Sequence, residues 1–197
     1  MITATSTLIA RRAMLVACLA ASVLLGGCIP LVVGGVAATA AVATDRRTTG
    51  TQLDDELIED KTAANILERY RNSVHVNVTS YNGLVLLTGE VPTEATREEI
   101  ADIARGWPKV RSVQNELAVG SLTGLSSRSN DTFITSKVKT RFVEAAKFQI
   151  NHVKVVTERG VVYLMGVVRR EEGNAAAEIA RTTSGVERVV KVFDYIS

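Results

Sequence analysis

The chain has 197 residues, 46% of them hydrophobic and 22% charged, with 23 Lys and Arg against 21 Asp and Glu. That is too apolar for a disordered charged tail, and long enough for one or two domains. The basic excess is Arg11 and Arg12 alone, and from residue 28 onward the charges balance, which excludes a protein that wraps nucleic acid through a positive field. Both cysteines, Cys18 and Cys28, lie near the N-terminus, and His75 and His152 are the only histidines. A disulfide scaffold, a Cys-built zinc site and His- or Cys-dependent catalysis therefore lack raw material, and no enzyme, cofactor or small-molecule substrate is expected.

In chain order, Arg11-Arg12 precede an apolar stretch over 13–27 that ends in Leu25-Gly26-Gly27-Cys28. The stretch is shorter than the roughly 20 residues of a spanning helix and reads as a signal peptide, 1–27. Its end resembles a bacterial lipobox, which implies that Cys28 carries diacylglycerol (palmitate included) and begins the mature chain. Ile29 rather than Asp follows, which by the sorting rule of Gram-negative lipoproteins favours the outer membrane, facing the periplasm. Residues 28–53 are then a lipidated tether. Its apolar part, 29–44, would reach about 24 Å as a helix, short of a ~30 Å hydrocarbon core. Both a membrane-hugging tether and a flexible spacer suit it.

Two copies of one unit follow. A shift of 77 superposes His75 on His152, Val76 on Val153, Gly83 on Gly160, Val85 on Val162, Leu87 on Leu164 and Gly89 on Gly166. A shift of 76 lays Asp55 and Leu57-Ile58 on Asp131 and Phe133-Ile134, and Ala101–Arg105 on Ala177–Arg181. Each copy opens with a helical period (55–70 and 131–146) and continues with two alternating runs meeting at Tyr81-Asn82-Gly83 or Glu158-Arg159-Gly160. These read as hairpins, because the turn needs the positive φ that Asn and Gly tolerate. A second helix follows Pro92 with Thr93 as N-cap and Ile100, Ile103 and Ala104 as its stripe. Final strands run over 110–119 and 186–196. The expected fold is α+β, two tandem αββαβ units with two helices on a three-stranded mixed sheet, over 54–119 and 131–197 with a linker at 120–130. Units of about 65 residues sit near the lower limit for a self-sufficient core, which favours packing of one on the other.

The G-x-V-x-L-x-G hairpins, Gly83 to Gly89 and Gly160 to Gly166, and the closing Gly185-Val186 resemble the BON-domain family. Gly50-Thr51-Gln52 with Asp54-Asp55, Ser129-Asn130-Asp131-Thr132 and Leu164-Met165-Gly166 are similar to its dual-domain outer-membrane lipoproteins, relatives of osmotically inducible periplasmic BON proteins. The resemblance implies a non-enzymatic protein that maintains envelope integrity, binds anionic phospholipid through its second domain, gathers at the division site and associates with the outer-membrane protein assembly machinery. It also departs from the family at one point: Phe133 stands where the lipid-binding helix carries Trp. The alternative reading is a protein-interaction module for that machinery, or for cell-wall remodelling, without direct lipid recognition.

Charge separates the copies independently. Residues 54–119 carry 7 basic and 12 acidic side chains, and 128–197 carry 12 basic and 8 acidic. Such asymmetry serves attraction between the domains or attraction of the second to an anionic surface. On a helical wheel Ile134, Val138, Phe142 and Ala145 form one stripe, from whose centre Phe133 lies about 140° away. Lys137 and Arg141 fall between. Asn130, Asp131, Thr132, Phe133, Lys137 and Arg141 are thus the expected lipid contacts, the first three through free N–H groups at the helix start. His75 and His152 have no other His or Cys to complete a metal shell and are expected to flank the hairpins. Asp54, Asp55, Glu56, Glu59 and Asp60 suit a helix N-terminus, and Trp107 suits packing.

Overall fold

The computed structural model describes residues 45–122 and 124–197; the signal peptide, Cys28 and the apolar part of the tether lie outside them. Thr48 caps the first helix, its hydroxyl accepting from the Thr51 N–H at 3.1 Å, and α1 runs Thr49–Tyr70. It begins earlier than its apolar period because its first turn is polar and needs only the cap. Asp55, Ile58, Thr62 and Ile66 form its buried face. Strands β1 (His75–Tyr81) and β2 (Leu84–Val91) pair antiparallel, with Tyr81 opposite Leu84. The two-residue turn Asn82-Gly83 has φ of 54° and 74°, the type I′ geometry that the right-handed twist of a hairpin favours. Thr93 caps α2 (Glu94–Arg105), which buries Ile100, Ala101 and Ala104, and β3 (Ser112–Val119) returns parallel to β2.

The second unit repeats this order. Helix α3 spans Leu125–Ala145, β4 Lys154–Glu158, β5 Val161–Arg169, α4 Arg170–Arg181 and β6 Arg188–Ile196. The sheets are ordered β1-β2-β3 and β4-β5-β6, each with one antiparallel and one parallel pair. In the second hairpin Arg159 takes the place of Asn82 at φ 51°, a left-handed conformation that a residue with a long side chain enters at a cost of about 1 kcal/mol.

Three apolar clusters hold the molecule. Ile58, Ile66, Val85, Leu87, Ile100 and Leu117 fill the first domain, and Ile134, Val138, Phe142, Val162, Leu164 and Ile179 the second. The third cluster joins Tyr81 and Leu86 of the first sheet to Tyr163, Met165, Val167 and Val192 of the second. The sheets therefore pack face to face, with the helices on the outside of each. This explains why β2 and β5 are apolar at consecutive positions: both of their faces are covered. It also meets the expectation that two small cores lean on each other.

Candidate functional site

The exposed side of α3 starts from a helix that begins earlier than its apolar stripe. Gly124 precedes the first turn, and the Ser127 and Arg128 N–H groups already donate to the Gly124 carbonyl. Asn130, Asp131 and Thr132 thus lie inside the helix, where their N–H groups serve the i−4 ladder. This corrects the sequence expectation of free N–H groups there. Asn130 and Thr132 are exposed, and the Thr132 hydroxyl donates to Arg128 O at 3.1 Å.

Asp131 is 5% exposed and turned inward. Its two carboxylate oxygens each accept a backbone N–H of the β4–β5 turn, from Arg159 and Gly160, at 2.9 Å. Asp55 does the same for Asn82 and Gly83, at 2.7 and 2.9 Å, and also accepts from the Ser80 hydroxyl and the Arg47 guanidinium. Each domain thus clamps its hairpin turn to its first helix with an aspartate. The signal in the sequence was the presence of Asp in both copies, when only one copy suits lipid. Arg141 is also occupied, donating to Ile179 O and Thr183 Oγ1 at 2.8 Å, where it satisfies a carbonyl and the negative dipole at the end of α4.

Phe133 differs. Ile134, Val138 and Phe142 of the same helix are buried to within 1%, whereas Phe133 is 62% exposed. The Lys137 ammonium lies 4.7 Å from its ring centroid and donates to Ser184 O, leaving two further N–H bonds. Around the ring, Ser136 and Thr140 donate their hydroxyls to the carbonyls of Thr132 and Ser136, both at 3.0 Å. The two hydroxyls are thus bonded within the helix, while the Lys137 ammonium keeps donors that a headgroup phosphate can accept. The corresponding face of the first domain has Leu57, 52% exposed, beside the exposed Glu56 and Asp60. Trp107 is half-buried, lining a cleft with Leu57, Lys61 and Pro108, and the Lys61 ammonium stands 5.6 Å from its ring.

Among the described residues, two ion pairs between the domains use the charge of the two copies in different senses. Lys154 pairs with Glu59 at 2.7 Å in the expected sense, while Arg111 pairs with Asp194 at 2.5 Å in the opposite one. The chain ahead of α1 adds a stronger link. Arg46 forms a two-pronged ion pair with Glu172 at 2.7 and 2.8 Å and donates to Val167 O, while Arg47 turns to Asp45 and Asp55 and lies 3.8 Å over the Tyr81 ring. The Arg46 guanidinium, helped by the Arg169 N–H, lowers the Glu172 pKa to about 2. A carboxylate depressed in the folded state contributes stability above its unfolded pKa and loses it as pH falls toward the folded value. With solvent screening, about 1 kcal/mol should disappear between pH 4.5 and 2 in thermal melts of the wild type, and Glu172→Gln should lack that component.

The two histidines occupy equivalent places and differ in company. The backbone carbonyl of each presses on a glycine of the facing strand, His75 on Gly89 and His152 on Gly166. His75 Nδ1 lies 3.1 Å from Glu90, its cross-strand partner, and Glu158 of the second domain reaches the same spot. Burial pushes the Glu158 pKa up, against the hydrogen bond from Asn77. Sequence reasoning missed this cluster, whose members come from three strands and both domains.

The BON-domain family model matches residues 54–121 and 130–197. Among curated proteins the chain is 41% identical over 181 residues to outer membrane lipoprotein DolP of Haemophilus influenzae, covering 90% of this chain and 93% of that protein. It is 36% identical over 154 residues to the 21 kDa hemolysin of Actinobacillus pleuropneumoniae, covering 77% and 79%. It is 32% identical over 147 residues to osmotically-inducible protein Y of Escherichia coli, covering 71% and 72%.

Proposed function

This chain belongs to the BON-domain family, and from that premise we propose that it is a non-enzymatic outer-membrane lipoprotein, anchored through Cys28 and facing the periplasm, whose second domain binds anionic phospholipid. It would maintain envelope integrity, with the division site as its place of action. The observation that carries the lipid reading is Phe133, an exposed aromatic on α3 outside its buried stripe of Ile134, Val138 and Phe142, with the Lys137 ammonium against its ring. The phenyl ring would enter the acyl boundary while Lys137 remains at phosphate level. A basic side chain near an anionic surface contributes about 1 kcal/mol, and the second domain has a surplus of them. Phe lacks the indole N–H that suits Trp to the interface, so the ring contributes area without a headgroup hydrogen bond. Of the expected contacts, Phe133 and Lys137 make the binding face with Asn130 and Thr132 at its edge, and Asp131 and Arg141 support it from within.

The first domain favours a different partner. Leu53 and Leu57 are 56% and 52% exposed one turn apart on α1, among acidic neighbours that would repel anionic lipid. That face suits a protein, and the outer-membrane protein assembly machinery is the partner proposed for it.

Sedimentation of residues 45–197 with vesicles tests the lipid reading. Binding to vesicles containing phosphatidylglycerol, weakened by salt and absent on phosphatidylcholine alone, is expected. Equal binding to both, or to neither, would overturn it.

A further inference from the structure

We propose that His75, Glu90 and Glu158 form a first-row divalent-cation site that joins the two domains. One ligand atom from each residue lies within 4.8 Å of the other two. His75 Nδ1 and Glu90 Oε2 are 3.1 Å apart, close to the separation of about 3.3 Å between two ligands at 2.0 Å in a tetrahedral shell. They are ladder partners of β1 and β2, so the sheet fixes that edge. Glu158 ends β4 and is oriented by Asn77, whose Nδ2 donates to Oε2 at 2.8 Å. Only this third ligand has to move to close the shell, by a turn of its side chain away from Asn77.

A second observation shows that the fold does not require these carboxylates. The internal repeat places Val167 where the first domain has Glu90, and Tyr81 where the second has Glu158. Both Val167 and Tyr81 are buried in the apolar cluster between the sheets. At one seam of the interface the chain therefore buries Tyr and Val with His152, and at the other it buries two glutamates with His75. Glu90 is fully buried and Glu158 is 6% exposed. Two carboxylates converging at low dielectric repel each other, and a dication between them converts that repulsion into attraction across the domain boundary. One imidazole with two carboxylates suits Zn²⁺ or Mn²⁺ better than Ca²⁺, which takes more oxygen ligands.

The site has an entrance. A cleft of about 430 Å³ opens beside it, lined by His75, Asn77, Thr135 and Glu158, with Arg128 and Lys139 facing it from α3. Asp131 lines it too, with its carboxylate committed to the hairpin turn.

Full-length protein in detergent, stripped with EDTA, should take up one equivalent of Zn²⁺ in titration calorimetry and melt at a higher temperature with it. Glu158→Gln and His75→Asn should each weaken binding at least tenfold. Glu90→Val borrows the residue that the other copy carries at the same place, so it should fold and lose the site. Glu178→Gln, exposed on α4, should bind like the wild type. Absence of saturable uptake, a response to pH alone, or uptake unchanged in folded Glu90→Val and Glu158→Gln would overturn the proposal.

Discussion

Alanine in place of Asp55 or Asp131 is expected to cost about 3–4 kcal/mol, through loss of charge-assisted hydrogen bonds whose backbone donors stay partly buried. Asp55→Ala should be the worse of the two, because its carboxylate also holds Ser80 and Arg47. Asp131→Ala removes two bonds, to Arg159 and Gly160. Urea melts should give the loss, and hydrogen exchange should locate it, with the amides of 159 and 160 losing protection before the sheet does. Below its lowered melting temperature, Asp131→Ala should still bind anionic vesicles, since its carboxylate faces the turn rather than solvent. A variant that melts like the wild type yet no longer binds would give Asp131 a direct role instead.

Gly166→Ala should be damaging on a similar scale. A Cβ there would stand 2.1 Å from the His152 carbonyl oxygen, and the corresponding one at Gly89 would stand 2.0 Å from that of His75. Both obstacles are backbone, His75 within the β1–β2 ladder and His152 at the end of the short 3-10 turn Ile150–His152 ahead of β4, so neither can yield as a side-chain tip does. The expected loss is about 3 kcal/mol, at the top of the range for overpacking, or roughly 6–12 °C in melting temperature for a protein of this size. A wild-type melt for Gly166→Ala would mean that the start of β4 shifts freely. Gly89→Ala carries an added penalty, because φ at that position is +118°.

The local features of the fold were legible because local patterns specify them. Asn82-Gly83 announced a type I′ turn, Thr93 capped the helix that follows it, and Ile134, Val138 and Phe142 marked the side of α3 that packs. The internal repeat supplied the architecture twice over. Two things were hidden. The first turns of α1 and α3 are polar, so the apolar period starts after the helix does, and Asn130–Thr132 were placed at an end that lies further back. The direction of the Asp131 side chain depends on a turn 28 residues away, and the company of His75 on a glutamate in the other domain. Neither periodicity nor spacing reports such contacts.

The same geometry separates two roles on one helix. Arg141 and Asp131 tie α3 to α4 and to the hairpin, and this rigid seat leaves Phe133 and Lys137 outward on a fixed surface. The first domain has the same seat, with Asp55 in place, but presents Leu57 among carboxylates. Binding should therefore follow the identity of the exposed face rather than the fold that both copies share. Flotation of residues 45–197 on phosphatidylglycerol vesicles tests this directly when Phe133→Asp and Leu57→Asp are run beside the wild type, each with its thermal melt. Phe133→Asp should melt like the wild type and lose binding by tenfold or more, with Leu57→Asp unchanged. Undiminished binding by Phe133→Asp, or equal losses in both variants, would contradict the assignment of lipid binding to α3.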